Sequence, residues 1–242
     1  MSVCKVMGIV NVTPDSFSDG GKFFAPEEAV RRARNLLEEG ADILDLGGES
    51  TRPGATPLGW QEEWTRLEPV LDALASDMRS GTVVSVDTYH PETAARAVAA
   101  GVRIINCVYA EPVPEMVGLM AANDVELVLP TAALGSVPNL EELMPRLYLD
   151  PMIGFGTTRE EDLALLQGIP ALAAKGRVLI GASRKRIVKK LVGEKSAVGK
   201  NIGGNVAIAV WAALRGASVV RVHDVRETVQ ALRVVEKLKV EG

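Results

Sequence analysis

Residues 42–47 read DILDLG, residues 60–78 read WQEEWTRLEPVLDALASDM, and residues 82–87 read TVVSVD. The first and third segments are short, apolar and bounded by turn residues, which is typical of buried strands. The middle segment has apolar residues at three- and four-residue spacing, which predicts an amphipathic helix. Strands joined through a helix pair in parallel, so this stretch predicts a strand–helix–strand unit of an α/β fold.

The same unit recurs along the whole chain. We predict strands near Val3–Val10, Asp42–Gly47, Thr82–Asp87, Arg103–Asn106, Val125–Leu129, Arg146–Asp150, Arg177–Gly181 and Ser218–Val222. We predict helices at Pro26–Glu39, Trp60–Met78, Pro91–Ala100, Glu160–Ala174, Asn201–Arg215 and Asp224–Lys239. Eight such strands favour one closed (β/α)8 TIM barrel domain over residues 1–242, with a doubly wound open sheet as the alternative.

The segment between the fifth and sixth strands departs from this rhythm. It contains Pro130, Pro138 and Pro145. Only about two helical turns fit there, around Asn139–Met144, because proline interrupts a helix. The fifth crossover is therefore predicted to be short.

Bulk composition excludes several classes of protein. Apolar residues make up 47% of the 242 residues and aromatic residues only 4%, so a large, mostly aliphatic core is expected. A net charge of −4 without blocks of like charge argues against a nucleic-acid-binding surface. The two cysteines, Cys4 and Cys107, form neither a disulfide framework nor a zinc motif. No signal peptide or membrane-length apolar run is recognisable, so we expect a cytoplasmic protein.

Polar residues stand at the predicted C-terminal ends of most strands, whereas the strand interiors are apolar. In a barrel of parallel strands these ends form the active-site face. The residues that fall there include Asn11, Asp87, Asn106, Asp150, Lys185, Arg221 and His223. Each alone has a structural explanation: Asp15 and Asp224 could cap helices, and Asn106 could bond the neighbouring backbone. Their common position on one rim favours a binding site.

The chemistry of these side chains indicates a heterocycle beside an anion. Ionised Asp87 and Asp150 only accept hydrogen bonds, and Asn106 both donates and accepts, so together they can read the donor-rich edge of a ring. Lys185 can donate to a ring carbonyl or nitrogen. A phosphate-bearing group would suit Asn11, Arg52, Arg221 and His223. No nucleophile and base have the spacing of a pair, so a covalent mechanism has little support.

The longest motifs resemble those of the dihydropteroate synthase family. Residues 11–21, NVTPDSFSDGG, resemble its first signature, and residues 47–54, GGESTRPG, resemble its second. Further family positions match in order at Val86–Thr88, Ile105–Asn106, Asp150–Pro151, Gly154–Gly156, Ser183–Lys185 and Arg221–Asp224. The resemblance covers almost the whole chain.

This resemblance implies an enzyme of folate biosynthesis. The family condenses 6-hydroxymethyl-7,8-dihydropterin pyrophosphate with p-aminobenzoate to give 7,8-dihydropteroate and pyrophosphate. By resemblance, the pterin would be held by Asp87, Asn106, Asp150 and Lys185, and the pyrophosphate by Asn11, Arg221 and His223, with Mg2+ at Asn11. The p-aminobenzoate pocket would be formed by Asp15, Phe17, Thr51, Arg52 and Pro53 on two loops that close over the site, with Phe155 as an aromatic wall. The expected catalytic residues are Asp15, Thr51, Arg52 and Lys185, and a homodimer is expected.

Several positions depart from the family pattern. Cys107 stands where the family usually has Asp, Pro130 replaces a His, Met152 replaces a Gly, and Arg186 replaces a Ser that can hold the p-aminobenzoate carboxylate. Thr157–Thr158 occupies the place of a usual Lys. We expect Cys107 to be a packed residue and not a reactive thiol, because nothing adjacent would lower its pKa.

These departures lie toward the p-aminobenzoate side, so pterin binding is better supported than the second substrate. Two alternatives stay open. One is a pterin- or methyl-folate-dependent methyltransferase, and the other is a non-catalytic pterin-binding homologue. Release of pyrophosphate would separate them from a synthase.

Overall fold

The computed structural model describes residues 4–13, 26–50, 56–193 and 201–240. Its strands form one closed, fully parallel barrel in the order β1 to β8. They are β1 Lys5–Asn11, β2 Ile43–Gly47, β3 Val83–Asp87, β4 Ile104–Asn106, β5 Glu126–Pro130, β6 Leu147–Asp150, β7 Arg177–Ile180 and β8 Val219–Val222. The strands are apolar and mostly buried, as expected for a parallel sheet covered on both faces.

Pairing between the first and last strands closes the sheet. Lys5 is in register with Val219 and Gly8 with Val222, while the other edge of β1 pairs with β2. A doubly wound open sheet would leave β1 and β8 apart or unpaired. The barrel prediction is therefore confirmed, and the open-sheet alternative is wrong.

Alternation along the strands separates a packed bottom from a polar top inside the barrel. The lower layer is an apolar cluster of Met7, Ile43, Ile104, Val128, Tyr148, Leu179 and Val219. Because side chains alternate in direction along a strand, the residue two positions later points to the same side. Two positions after Ile43, Ile104, Tyr148 and Val219 come Asp45, Asn106, Asp150 and Arg221. The apolar layer thus carries a polar layer toward the strand C-termini.

Helices cover the outside of the barrel. They are α1 Pro26–Glu38, α2 Trp60–Arg79, α3 Pro91–Ala99, α4 Val113–Ala122, α5 Leu140–Leu143, α6 Arg159–Gln167, α7 Ile169–Ala173, α8 Arg186–Val192, α9 Ile202–Leu214 and α10 Val225–Val240. Apolar faces of these helices pack on the outer side of the strands, with Leu36, Leu67 and Leu71 fully buried there. None of the helices that the structure describes is both long and apolar enough to cross a lipid bilayer.

The predicted helices are present, but one of them is divided and two further helices occur. The fifth crossover is short, as predicted, with only α5 and flanking 3-10 turns at Thr131–Ser136 and Met144–Arg146. The predicted helix Glu160–Ala174 is divided at Gly168. Pro170 explains the division, because it lacks an N–H and its ring would clash with the preceding turn of a continuous helix. Helices α4 and α8 were not among the predicted helices.

Candidate active site

Within the polar layer, hydrogen bonds link four side chains across the barrel, hereafter called the floor: Asp45, Asp87, Asn106 and Arg221. The Arg221 guanidinium donates from Nε to Asp45 Oδ2 at 2.5 Å and from Nη2 to Asp87 Oδ2 at 2.7 Å. Asn106 Nδ2 donates to the same Asp45 oxygen at 3.3 Å. The closed sheet brings β2, β3, β4 and β8 around one interior and so joins residues that are far apart in sequence.

The floor retains unused hydrogen-bond acceptors. Asp45 Oδ1, Asp87 Oδ1 and Asn106 Oδ1 are buried and have no hydrogen-bond partner within the described part of the chain. Leaving a buried polar atom unpaired costs about 1–3 kcal/mol. A ligand with several N–H donors would satisfy these oxygens, as the edge of an amino-substituted heterocycle does.

Burial governs the protonation of the floor. It raises the pKa of Asp87 to about 7, against the opposing effect of the Arg221 charge. Burial also disfavours the Arg221 cation, but the charges of Asp45 and Asp87 outweigh that effect and raise its pKa. Arg221 therefore stays charged, while Asp87 can change protonation near neutral pH.

A second group lies at the ends of β6 and β7. The Lys185 ammonium donates to the Ile153 carbonyl at 2.6 Å and lies 4.2 Å from the centre of the Phe155 ring. Asp150 accepts the Met152 N–H at 2.7 Å. Burial lowers the pKa of Lys185 to about 8, and burial raises the pKa of Asp150 in spite of Lys185. The structure thus brings together Asp150, Phe155 and Lys185 as the sequence predicted.

The side predicted to bind an anion lies at the ends of β1 and β8. Asn11 is the last residue of β1. His223 follows β8, and its Nδ1 lies 3.0 Å from the Ser183 hydroxyl. The guanidinium of Arg221, which sequence reasoning placed on this side, bonds to the two carboxylates of the floor. Whether it also reaches an anion stays a prediction.

Asp224, the next residue along, belongs to the support of the site. Its carboxylate accepts from Arg184 Nη2 at 2.6 Å and from Asn205 Nδ2 at 2.9 Å. It therefore joins the loop after β7 to helix α9. This agrees with a structural role for Asp224, which extends beyond a helix cap because these bonds link three elements.

The described ends of the β2–α2 connection are fixed beside the site. Glu49 Oε1 accepts the Leu58 N–H at 3.2 Å and the Tyr89 hydroxyl at 2.8 Å, and Arg66 donates to the Gly48 carbonyl at 3.0 Å. The predicted residues Asp15, Phe17, Thr51, Arg52 and Pro53 lie outside the described residues.

The positions that depart from the family pattern have definite surroundings. Cys107 is buried, its thiol donates to the Tyr109 carbonyl, and burial raises its pKa to about 11, so it is packed and unreactive, as predicted.

The other three positions also have defined surroundings. Pro130 ends β5 in register with Asp150. Met152 has a left-handed backbone with φ of 62°. Arg186 bonds to Asp162 and to Thr157.

Sequence reasoning missed two carboxylates. Asp45 was overlooked because it lies in the middle of a strand, where the prediction considered only the ends. Its position two residues after an inward-facing Ile43 is a usable signal for it. Asp162 is fully buried, but in the sequence it is one of several acidic residues in the first turn of α6. No local pattern distinguishes it from them.

Comparison with known proteins agrees with this geometry. Residues 7–144 and 142–223 match the family model described as pterin binding enzyme. The dihydropteroate synthases of Staphylococcus haemolyticus and Mycobacterium leprae are 34% and 39% identical to this chain. The alignments cover 99% and 96% of it, and 96% and 92% of the relatives.

Solved structures of dihydropteroate synthases are also similar to this chain. A Xanthomonas albilineans dihydropteroate synthase with 4-aminobenzoic acid superposes with a TM-score of 0.87 at 39% identity, over 98% of this chain and 93% of that one. The same enzyme in complex with 7,8-dihydropteroate gives a TM-score of 0.84 at 36% identity, over 99% and 95% of the two chains. The chain therefore belongs to the family of pterin-binding enzymes that includes dihydropteroate synthase.

Proposed function

We propose that this protein condenses 6-hydroxymethyl-7,8-dihydropterin pyrophosphate with p-aminobenzoate, giving 7,8-dihydropteroate and pyrophosphate in folate biosynthesis. The observation that carries the proposal is the set of buried, unpaired acceptor oxygens on Asp45, Asp87 and Asn106. A pterin edge carries several N–H donors close together. It would therefore satisfy the acceptors that the folded chain leaves unpaired.

The pterin would lie between the floor and Lys185. Asp87, Asn106 and Asp150 would accept from its ring N–H and amino groups, and Lys185 would donate to a ring acceptor. Asn106 and Asp150 are buried and Asp87 and Lys185 partly so, which strengthens these bonds because little water competes for them. We propose that the pterin methylene then faces the two predicted loops.

The leaving pyrophosphate would lie toward Asn11 and His223. His223 is held by Ser183 on the neighbouring strand end, so its ring is positioned before a ligand arrives. Helix α10, which begins two residues later at Val225, would add the positive end of its dipole. Departure of the pyrophosphate leaves a cation at the pterin methylene, which the ring stabilises. The aniline nitrogen of p-aminobenzoate then attacks this carbon and gives up a proton, which the released pyrophosphate can accept.

We also propose Mg2+ as the cofactor, with Asn11 as its protein ligand. The donor chemistry fits, because an amide oxygen is a hard ligand and Mg2+ usually completes its shell with phosphate oxygens and water. The described residues contain no cluster of three His, Cys, Asp or Glu side chains that would hold a metal without substrate. When bound, Mg2+ would neutralise charge on the departing pyrophosphate.

The p-aminobenzoate would bind between Phe155, Lys185 and the two predicted loops. The Phe155 ring gives an apolar wall, and Arg186 stands one residue beyond Lys185 at the start of α8. We propose that Asp15, Thr51 and Arg52 complete this pocket and exclude water, which would otherwise trap the cation. No nucleophile–base pair is needed, because the amine attacks a carbon that is already electrophilic.

We propose that the enzyme is a homodimer formed through α8 and α9. Large apolar side chains are exposed there on two adjacent helices: Leu191 at 50%, Val192 at 46% and Trp211 at 40%. They border a groove of about 400 Å³ between α6, α8 and α9. Contiguous apolar surface of this kind marks an interface, and a second copy of the chain would cover it. We expect the dimer to work in the cytoplasm, which fractionation of cells would test.

The test of the proposed reaction is release of pyrophosphate by the purified chain. The purified protein is given dihydropterin pyrophosphate and Mg2+, with and without p-aminobenzoate. Release that depends on p-aminobenzoate and yields dihydropteroate supports the synthase. Binding of the pterin without release would indicate a non-catalytic homologue, and methyl transfer from a methyl-folate would indicate a methyltransferase.

A further inference from the structure

One carboxylate outside the floor is fully buried and connects two loops of the site. Asp162, in the first turn of α6, has no exposed surface. Its Oδ1 accepts the Gly154 N–H at 2.7 Å and the Thr157 hydroxyl at 2.5 Å. Its Oδ2 accepts from Arg186 Nε at 3.3 Å. Asp162 therefore binds the connection between β6 and α6 on one side and the start of α8 on the other.

The β6–α6 connection needs such support, because its backbone is unusual. Met152, Gly154 and Gly156 have φ values of 62°, 78° and 71°. A left-handed backbone is unfavourable for a non-glycine residue such as Met152, so surrounding contacts must hold it. The bonds from Gly154 and Thr157 to Asp162, and from Met152 to Asp150, supply those contacts.

The same connection carries the groups that contact Lys185. The Ile153 carbonyl accepts from the Lys185 ammonium, and the Phe155 ring lies beneath that ammonium. A side chain added at Gly154 would approach Lys185 Cδ to 2.9 Å, so the connection and Lys185 are in close contact. The position of Phe155 relative to Lys185 thus depends on how the two loops are joined.

We propose that Asp162 is a positioning residue for the p-aminobenzoate side of the site. By joining Gly154 and Thr157 to Arg186, it fixes the Phe155 ring against the Lys185 ammonium. Asp162 itself does not touch substrate, because it is fully buried. The inference rests on the proposed function, since it assigns the Phe155–Lys185 side to p-aminobenzoate.

Two substitutions separate the bonds of Asp162. Asp162→Ala removes all three. Asp162→Asn keeps an oxygen for Gly154 and Thr157 but presents an N–H donor to Arg186, which is itself a donor. The matched control is Glu160→Gln, because Glu160 also joins α6 to α8 through an ion pair with Lys190, but on the exposed surface.

We expect Asp162→Ala to raise the KM for p-aminobenzoate by roughly tenfold or more, since small misplacements of binding groups have large kinetic effects. The Kd for dihydropterin pyrophosphate, measured by calorimetry without p-aminobenzoate, should change less, because only Asp150 and Lys185 of the proposed pterin-binding residues contact this connection, whereas Asp87 and Asn106 are held by the floor. Asp162→Asn should give a smaller change in the same direction, and Glu160→Gln should match the wild type. If Asp162→Ala does not fold, Thr157→Val removes one of its three bonds from a partly exposed position and should raise the same KM by a smaller factor.

An unchanged KM for p-aminobenzoate in both folded Asp162 variants would overturn the inference. Equal losses for both substrates would also overturn it, because they indicate a general structural role. These results differ from failure of the proposed function, in which the wild-type chain itself forms no dihydropteroate. Hydrogen exchange of the Gly154 amide gives a reading independent of turnover: it should accelerate in Asp162→Ala and stay protected in Glu160→Gln.

Discussion

Arg221 Nε lies 2.5 Å from Asp45 Oδ2, and this contact joins β8 to β2 across the inside of the barrel, past the intervening β1. Asp45 is fully buried and Arg221 largely so. The pair is thus part of the floor on which the proposed ligand rests. Arg221 also reaches Asp87, so the positions of two carboxylates depend on one guanidinium.

Removing the charge of Asp45 should destabilise the floor. We expect Asp45→Asn to lower the free energy of unfolding by about 1.5–3 kcal/mol, the usual effect of a lost hydrogen bond to a charged group. The loss is limited because Asp87 still holds Arg221. Urea denaturation measures it, and Asp124→Asn is the control, since Asp124 pairs with Arg103 at an almost fully exposed site. Equal stability of Asp45→Asn and wild type would contradict the structural role of the pair.

The activity should fall on the alkaline side as Lys185 loses its proton. Burial lowers the pKa of Lys185 to about 8, with Asp150 opposing the effect. Above that pH the amine no longer supplies a positive charge to the site. We expect kcat/KM for dihydropterin pyrophosphate to decline through this range, because kcat/KM reports ionisation of the free enzyme. In Lys185→Arg the decline should move to higher pH, because a guanidinium stays charged. Identical alkaline limbs in the two proteins would exclude Lys185 as their cause.

The stability of the ligand-free protein should depend on pH through Asp87. Burial raises the pKa of this carboxyl from 3.8 to about 7. A carboxyl with a raised pKa holds its proton more tightly in the folded chain. Its contribution to stability is therefore fully present below 3.8 and is lost as the pH rises through about 7.

We expect the free energy of unfolding of the wild type, relative to Asp87→Asn, to fall between about pH 4 and about pH 7. The amide of the variant does not titrate, so the difference isolates this one group. Urea denaturation at a series of pH values measures it. A difference that stays constant with pH would contradict the raised pKa.

The proposed dimer should depend on Trp211. A charge placed in the exposed apolar face of α8 and α9 would have to lose its water shell when the dimer forms. We expect Trp211→Glu to sediment as a monomer and the wild type as a dimer. Val234→Glu, an exposed apolar site on α10, is the control and should remain dimeric. A monomeric wild type, or a dimeric Trp211→Glu, would contradict this interface.

Much of the fold and part of the site could be predicted from local sequence patterns. Strand segments such as TVVSVD at residues 82–87 are recognisable because they are short and apolar, and their number and order lead to the barrel. Asp87, Asn106 and Asp150 were found because each ends a strand. Helix α4 was missed, since Pro112 and Pro114 obscure its start, although proline is tolerated in a first helical turn.

The remaining contacts depend on the closed sheet and could not be read from spacing. Arg221 meets Asp45 from a strand 176 residues away in sequence. Arg186 meets Asp162 only because β7 lies next to β6. Neither pair has a local signature, and the protonation of Asp87 depends on burial that only the packed barrel defines.

The proposed reaction requires the buried floor of the barrel to bind the pterin, and substitution of Asp87 is the sharpest test of that role. Calorimetric titration of dihydropterin pyrophosphate into wild type and Asp87→Ala measures its affinity for each protein. The control is Asp72→Ala, at an exposed position on α2. We expect a loss of roughly 2–4 kcal/mol of binding free energy in Asp87→Ala, because a buried acceptor is removed from paired ring donors. Asp72→Ala should bind like the wild type. Unchanged affinity in a folded Asp87→Ala would mean that the pterin binds elsewhere.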